Sequence, residues 1–511
     1  MRSSLNNTLR SLFSGGGILF IGLIIELGLS FLAKAIIARF LGAVDYGAVS
    51  LGVTMLGLLS TLSLLGLHTG VSRYLPRFED DADRRGVLMS AATMALPVVG
   101  VTGLLVGVFA GPIAGYLFSD PTVTPIIRVF GLAIPFAAVM KFSIGVIRGI
   151  EQAIPRVVVQ NIVPPVTRFF AVAVAIVLGT GVIGIATAYA AAYVVAALVG
   201  LYYVVTRTSL LANKKPKWIH KEMLSFSAPL IVSAAMAYVL TDLDTFMLGY
   251  FSSTRDVGIY NVVYPIAQLL TVGLSAFGFL FLPVISELDS DGADREIHRV
   301  YQIVTKWIFM ATLPVFMVIA LFPEMTITIT FGREYVSGSV ALSLLAVAYF
   351  SHAIAGPNAN TLTSIGHTRL IMWDNLVVGI INAILNVALI PTYGFLGAGI
   401  ATAISYIVLN LLYSTQLYRR TGIHPFSTGL IRPGIIAIAL TTITFWITRT
   451  FFSVTIPLLV AMFTVFLFAY GLIILRFGGI EEEEIMLVLS FEDRFDIDLG
   501  PLKKFVKLFI Q

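Results

Sequence analysis

The segment ILFIGLIIELGLSFLAKAIIARF, residues 18–40, decides the class of protein to which the chain belongs. It is apolar over most of its length, and about 20 residues of helix cross the roughly 30 Å hydrocarbon layer of a membrane. Three ionisable side chains lie within it: Glu26 and Lys34 in the middle of the apolar run and Arg39 at its end. Because a charge at bilayer depth is costly and usually functional, the segment predicts a transmembrane helix that faces a polar interior.

The composition of the whole chain indicates the same class. Of its 511 residues 58% are apolar and 12% charged, and the mean hydropathy is +0.93, whereas a soluble domain carries about 25% charged residues. The pattern predicts an all-α polytopic membrane protein with about 14 transmembrane helices. The predicted spans are 12–38, 48–71, 88–117, 125–147, 157–179, 183–205, 225–250, 258–285, 300–322, 337–355, 371–390, 395–417, 430–448 and 455–475.

The basic residues predict the orientation of these spans. With a cytoplasmic N-terminus, about 25 of the 33 Lys and Arg residues fall in cytoplasmic segments, which satisfies the positive-inside rule. We therefore expect both termini to be cytoplasmic and attribute the basic excess to topology, with no nucleic-acid partner. The first apolar run is too long for a signal peptide, so we expect it to be retained as a span. The absence of Cys excludes disulfides, Cys-ligated zinc and iron–sulfur clusters.

The sequence also repeats itself. The second copy follows the first by 211 to 215 residues, in the same order along the chain. The recurring landmarks are GIATA at 184–188 and 399–403, Asp-x-Gly at 45–47 and 256–258, and Asn161 with Asn375. Each copy holds an even number of spans, so the copies are parallel repeats related by an axis along the membrane normal. Such a pair predicts a central cavity that opens to one side at a time.

The repeat divides the chain into five predicted parts. They are an N-terminal six-helix lobe at 1–206, a basic cytoplasmic linker at 207–222, a C-terminal six-helix lobe at 223–418, an extra helix pair at 419–476 and a cytoplasmic tail at 477–511. The external loops are short, and the chain has no GxxxxGK[ST], HExxH or nucleophile-elbow motif. We therefore expect a transport protein and no enzyme.

Basic side chains inside the spans are the candidate substrate ligands. They are Lys34, Lys141, Arg168 and Lys306. Lys141 and Lys306 lie near the cytoplasmic side, where snorkelling to the interface is the competing explanation. Arg168 follows Pro164-Pro165, where we expect a broken helix and a polar neighbourhood. A cationic cavity suits an anionic substrate, and phosphate is the obvious anion.

Acidic side chains inside the spans are candidates for ion coupling or for charge balance. Glu26 stands eight residues before Lys34 on one helix, so a structural ion pair is an alternative. Asp242 and Asp244 in TDLDT suit either a cation site or a partner for a basic residue. The sequence predicts no bound cofactor and no metal centre, and it leaves coupling to Na⁺ or H⁺ open.

Two stretches carry a resemblance to a known family. ARFLGAVDYGAVSLGVTMLGLLSTLSLLGLHTGVSRYLP, residues 38–76, is similar to the opening of the polysaccharide transporter proteins, the Wzx-type oligosaccharide-lipid flippases. TDLDTFMLGYFSSTRDVGIYNVVYPIAQLL, residues 241–270, resembles the same family, with its Asp before Met-Leu-Gly and then Val-Gly-x-Tyr. The family belongs to the multidrug/oligosaccharidyl-lipid/polysaccharide exporter superfamily.

The resemblance implies movement of a polyprenyl- or dolichyl-(pyro)phosphate-linked oligosaccharide from the cytoplasmic to the outer leaflet, for cell-surface polysaccharide or glycoprotein synthesis. It implies Lys34, Lys141, Arg168 and Lys306 as head-group ligands, and Glu26, Asp242 and Asp244 as coupling or balancing residues. It also implies a multi-pass protein of a prokaryotic plasma membrane. Its partners would be the lipid-linked glycan, membrane lipids and the glycosyltransferases or polymerase of the same pathway.

Three other functions were weighed on the same residues. A cation-coupled multidrug exporter shares the fold but needs apolar cavity walls and acidic residues, which the basic groups here do not favour. A lipid-linked peptidoglycan-precursor flippase shares the fourteen-span layout and stays an alternative. A membrane glycosyltransferase or polymerase would need catalytic groups on a sizeable external loop, and the predicted loops are too short.

Overall fold

The computed structural model describes residues 2–211, 213–451 and 456–477. Every regular element within these ranges is helical, so the predicted all-α polytopic class is confirmed. The α-helices are α1 (Arg2–Leu62), α2 (Leu67–Tyr74), α3 (Asp81–Val108), α4 (Ala110–Pro112), α5 (Thr124–Gly149), α6 (Ala153–Val157), α7 (Val163–Val177), α8 (Gly181–Arg207), α9 (His220–Phe251), α10 (Thr254–Gln268), α11 (Val272–Ser290), α12 (Asp294–Leu321), α13 (Pro323–Thr330), α14 (Ser339–Ala355), α15 (Asn358–Ser364), α16 (Thr368–Tyr393), α17 (Phe395–Thr421), α18 (Thr428–Phe451) and α19 (Ile456–Phe477).

Ten helices in the described ranges are long and apolar enough to cross a membrane, and an eleventh is the bent α9. The apolar part of α1, Gly22–Leu62, is 41 residues long. At 1.5 Å per residue it extends for about 60 Å, twice the hydrocarbon thickness. It breaks at Gly42, whose φ of 78° and ψ of 175° are not helical. The element α1 thus consists of two helices that meet at a kink at Gly42, and it takes in two of the predicted spans.

The two C-terminal spans are also helical. Their apolar stretches, Leu430–Trp446 in α18 and Phe463–Ile474 in α19, are shorter than those of the ten long helices. The number of about fourteen spans therefore stays a prediction. The predicted tail at 477–511 lies outside the described residues except for Phe477.

The chain forms two compact units. The first takes in the described residues of Met1–Pro265, Ile327–Ala341 and Gly379–Ala401, and the second those of Ile266–Thr326, Leu342–Val378 and Thr402–Gln511. Each unit draws on more than one stretch of sequence, so neither is a single run of consecutive spans. The division into two repeated six-helix lobes remains a prediction.

In the first unit, α3, α5 and α9 pack around short α2. Leu67 and Val71 of α2, Val87 of α3, Val146 of α5 and Met223 of α9 are each fully buried in one apolar cluster. Close packing of this kind fixes α5 against α2 and α3. It holds the helices that carry the intramembrane charges in a defined register.

In the second unit, α18 and α19 pack on α12 and α14. Phe309, Phe350 and Phe466 belong to one buried cluster, and the phenolic OH of Tyr470 donates to the carbonyl oxygen of Met310 at 3.0 Å. The extra helix pair is therefore part of the packed core of this unit.

The segment before Arg168 differs in detail from the expectation. A π-helical turn, Val158–Ile162, joins α6 to α7, and Pro164 and Pro165 occupy the first turn of α7. Proline is tolerated there because its missing N–H would have no intrahelical partner. Residues Ala153–Val177 consequently continue as one span. The irregularity is a π bulge that re-aims the side chains on either side of it.

Candidate substrate site

A polar seam joins α1 to the π turn and α7 inside the first unit. The carboxylate of Glu26 accepts a hydrogen bond from the amide Nδ2 of Asn161. One turn further along α1, the hydroxyl of Ser30 accepts from a guanidinium N–H of Arg168 at 3.4 Å. Glu26 and Ser30 are four residues apart and so share a helix face. Asn161 lies within the π bulge and Arg168 in α7 beyond it, and both reach that face.

Arg168 keeps most of its hydrogen-bonding capacity. The Ser30 contact is long, and within the described chain the Nε–H of Arg168 has no acceptor although it is buried. The guanidinium carbon lies 5.0 Å from the centroid of the Tyr189 ring, which is a cation–π arrangement. Because a guanidinium has five N–H donors, this side chain is held in place and still presents donors to an anion.

Lys34 stands on the same helix one further turn along. Its ammonium makes no hydrogen bond or ion pair with the described residues. It feels the charges of Arg168 and Asp242, which lie within electrostatic range. Lys34 and Arg168 thus form a pair of intramembrane cations without a carboxylate within 4 Å in the described chain. Glu26 pairs with Asn161, so the structure does not show the alternative Glu26–Lys34 ion pair.

Lys141, in contrast, uses all the hydrogen-bond donors of its ammonium within the protein. Its ammonium donates to the carbonyl oxygen of Gly57 at 2.9 Å, to the hydroxyl of Ser60 at 2.8 Å and to that of Thr61 at 2.5 Å. The hydroxyl of Tyr238 lies at 3.4 Å. An ammonium has three protons, so this side chain ties α5 to α1 and α9. Direct contact of Lys141 with a substrate stays a prediction and would require these bonds to be exchanged.

A second polar cluster surrounds Asp244 on α9. Its carboxylate accepts from the phenolic OH of Tyr260 and, at 2.6 Å, from Nδ2 of Asn386. The same Nδ2 donates to Oδ1 of Asn382 at 3.0 Å. Asp244 and Asn382 are each 7% exposed and Asn386 is fully buried. Within the described chain, Oδ1 of Asn386 has no hydrogen-bond partner, so the cluster contains a buried acceptor without a donor.

Two further predicted residues, Asp242 and Lys306, make contacts of their own. Asp242 is half-buried and accepts from the hydroxyl of Thr241 at 2.7 Å. Lys306 is 3% exposed, and its ammonium lies 5.9 Å from the ring centroid of Trp307 in the second unit. Its role as a head-group ligand stays a prediction. Among the described residues, no three His, Cys, Asp or Glu side chains are grouped to hold a metal ion.

Sequence reasoning missed part of this site. Asn161 was recognised only as a landmark of the repeat, although it holds the Glu26 carboxylate. Tyr189 and Tyr238, which support the Arg168 and Lys141 cations, carry no signal that separates them from other aromatic residues of the spans. The hydrophilic character of Asn161 at bilayer depth is the one signal that was available.

Comparison with known proteins identifies the family. The family described as "Polysaccharide biosynthesis protein" matches residues 12–289, more than half of the chain. The chain belongs to this family. The matched range contains Glu26, Lys34, Arg168 and Asp244, and so covers the seam on α1 and the carboxylate of the second cluster.

The proteins to which this chain is similar include transporters. A "Probable low-salt glycan biosynthesis flippase Agl15" from Haloferax volcanii is 26% identical over 403 residues, covering 78% of this chain and 82% of that protein. The solved "Lipid II flippase MurJ, inward closed conformation" superposes with a TM-score of 0.71 at 13% identity, covering 89% and 98% of the two chains. An inward-facing multidrug resistance MATE family transporter of the MOP superfamily has a TM-score of 0.63 at 16% identity, covering 79% and 98%. Both structures show the shared fold.

Proposed function

We propose that this member of the polysaccharide biosynthesis family is a flippase for a polyprenyl- or dolichyl-(pyro)phosphate-linked oligosaccharide, which it moves from the cytoplasmic to the outer leaflet by alternating access. The observation that carries the proposal is the pair of intramembrane cations, Lys34 and Arg168. Among the described residues, the Lys34 ammonium and the Nε–H of Arg168 have no acceptor. A phosphate or diphosphate satisfies such donors with charge-assisted bonds. The glycan flippase relative supports the same substrate class.

The electrostatics of the site favour an anionic head group over a cationic drug. Two carboxylates act on these cations: Glu26, which accepts a hydrogen bond from Asn161, and Asp242. Among the described residues, neither forms an ion pair with Lys34 or Arg168. A third cation brought beside Lys34 and Arg168 would be repelled in a low-dielectric medium. Arg168 also has the planar guanidinium that binds phosphate oxygens in pairs.

The direction of transport needs an energy source, and the membrane potential is one. With both termini cytoplasmic, as we propose for a prokaryotic plasma membrane, outward movement of an anion is downhill. The inside-negative potential contributes about 2.3 kcal/mol per elementary charge per 100 mV.

A coupling cation is a second energy source, and the Asp244 cluster is where we place it. One carboxylate and the free amide oxygen of Asn386 are hard oxygen donors, the kind that monovalent coupling ions use in transporters. The alternative is a proton on the Asp244 carboxylate. The cation would replace hydrogen bonds to Tyr260 and Asn386, so its binding would be felt on both α9 and α16.

We further propose that the protein transports and does not catalyse, and that glycosyltransferases or a polymerase of the same pathway act on its substrate before and after the transfer. The short predicted external loops and the flippase relative support a transport role without catalysis.

The test is deletion of the gene followed by analysis of lipid-linked glycans on each leaflet. We expect glycan to accumulate on the cytoplasmic leaflet, and wild type and Arg128→Ala to restore its export, because Arg128 is exposed. Arg168→Ala should fail to do so. Unchanged surface glycans together with raised drug sensitivity in the deletion strain would contradict the proposal and favour the multidrug exporter.

A further inference from the structure

The two copies of the Asp-x-Gly motif touch each other. A Cβ atom on Gly47 would lie 1.8 Å from the carbonyl oxygen of Thr254 and 2.8 Å from the amide nitrogen of Gly258. A Cβ atom on Gly258 would lie 1.9 Å from the carbonyl oxygen of Ala43 and 3.2 Å from the amide nitrogen of Gly47. We call this pair of approaches the glycine contact.

The glycine contact is reciprocal. Ala43 precedes Gly47 by four residues, as Thr254 precedes Gly258, and each residue of the first copy has its counterpart 211 positions later. This reciprocity is what the predicted two-fold relation between the two copies requires. Neither glycine has a positive φ, so glycine is required here for the close approach of two backbones and not for an unusual conformation.

A second set of contacts surrounds the glycine contact. The break at Gly42 interrupts the helical bonds of α1, which frees the amide of Ala43 and the carbonyl of Ala38. The carboxylate of Glu334 accepts from the Ala43 N–H at 2.8 Å, and the phenolic OH of Tyr335 donates to the Ala38 oxygen at 2.8 Å. Both freed groups of the first copy are thus satisfied by one short segment of the second half.

Arg39 completes this arrangement. Its guanidinium donates to the carbonyl oxygens of Thr328, Ile329 and Thr330, which are the last residues of α13. A cation at a helix C-terminus offsets the negative end of the helix dipole and supplies donors to carbonyls without intrahelical partners. The turn after the first predicted span, at 38–47, is therefore in contact with two segments of the second half, at 254–258 and 328–335.

All three turns lie on the side predicted to be external, since they follow spans 1, 7 and 9. We propose that the glycine contact is the external gate: the backbones of Gly47 and Gly258 meet to seal the substrate path on that side, and they separate when the head group is released. This inference rests on the proposed transport by alternating access. The surrounding bonds of Arg39, Glu334 and Tyr335 hold the gate closed and break together when it opens.

The proposal predicts the effect of adding one methyl group at the glycine contact. Alanine at position 258 would overlap the Ala43 carbonyl, and backbone atoms cannot move aside as a flexible side chain does. The closed gate becomes strained and the open gate does not, so Gly258→Ala shifts the population towards the open state. Gly100→Ala is the matched control, because a Cβ atom there meets nothing within 4 Å.

The absence of Cys gives a direct readout of the gate. Ala43→Cys places one thiol at a position that is fully buried in the closed gate, and a membrane-impermeant maleimide added to intact cells reports its exposure. We expect Gly258→Ala to accelerate labelling at least about tenfold, equivalent to about 1.4 kcal/mol in the gate equilibrium, and Gly100→Ala to leave it unchanged. Equal labelling in both backgrounds would overturn the proposal.

A second variant keeps the test decisive if Gly258→Ala does not fold. Glu334→Gln retains the size of an exposed side chain and weakens its bond to Ala43, so labelling should rise by a smaller factor, while neighbouring Arg333→Gln should have no effect. No difference between these two variants would also overturn the gate. Labelling does not require a substrate, so the gate can be confirmed even if the proposed glycan substrate is wrong.

Discussion

Replacing Lys141 with methionine separates a structural lysine from a substrate ligand. The ammonium of Lys141 donates to three oxygens, on Gly57, Ser60 and Thr61. Methionine has a similar length and no donor, so Lys141→Met removes these bonds without leaving a large cavity. We expect the protein to lose stability and to keep its capacity to bind and move substrate.

The size of the stability loss depends on the hydrogen bonds that the former partners of Lys141 can still make. A hydrogen bond to a charged group contributes about 1.5–3 kcal/mol. The hydroxyls of Ser60 and Thr61 also donate to the Gly57 carbonyl, at 3.1 Å and 2.9 Å, so these oxygens are not left without partners. We therefore expect a loss of about 2–4 kcal/mol of unfolding free energy, close to one or two charged bonds, and less than three such bonds would sum to.

The assay is thermal unfolding in detergent, followed by the intrinsic fluorescence of the four tryptophans, beside a flipping assay on the same preparation. Lys221→Met is the matched control because Lys221 is exposed, and it should change neither quantity. If Lys141→Met melts at the wild-type temperature and loses flipping, the structural assignment is wrong and Lys141 contacts the head group.

Three further changes test other parts of the molecule. Asp244→Asn keeps the size of the side chain and removes its charge, so any dependence of flipping on Na⁺ or on a pH gradient should disappear, and an unchanged dependence would exclude this cluster. Asn161→Leu leaves the Glu26 carboxylate without its donor and should lower stability by about 1–3 kcal/mol, measured as a fall in melting temperature. The hydrogen bond from Lys214 lowers the pKa of exposed Asp80. The stability from this pair is therefore present above pH 3.8 and lost as the pH falls through the lowered pKa, so the small difference between wild type and Lys214→Ala should vanish in acid and in high salt.

Hydropathy was enough to predict the helices, because lipid forces backbone polar groups to be satisfied within each span. The break in α1 was not predicted to fall at Gly42, since a helix interrupted at one residue and a pair of separate spans have the same hydropathy. The prolines at 164 and 165 predict a broken helix, but they fall in the first turn of α7, directly after the π bulge, where a helix tolerates them.

The sequence was enough to predict which charged residues form the site. It was not enough to predict which residues they contact. Lys34 and Arg168 were found because a cation at bilayer depth is conspicuous in a sequence. The saturation of Lys141 was not, because its partners lie 80 to 97 residues away in the chain. The repeat of Asp-x-Gly predicted equivalent turns, yet only the fold shows that the two copies meet.

The central claim is most directly tested in vesicles that contain the purified protein and a fluorescent polyprenyl diphosphate oligosaccharide, with the outer-leaflet fraction followed by quenching. We predict that wild type and Arg128→Ala equilibrate the lipid between leaflets. Arg168→Ala and Lys34→Met should each be slower by about tenfold or more, the equivalent of one charged hydrogen bond. Equal rates for all four proteins, or no flipping by wild type across a potential that drives the anion outward, would contradict the account.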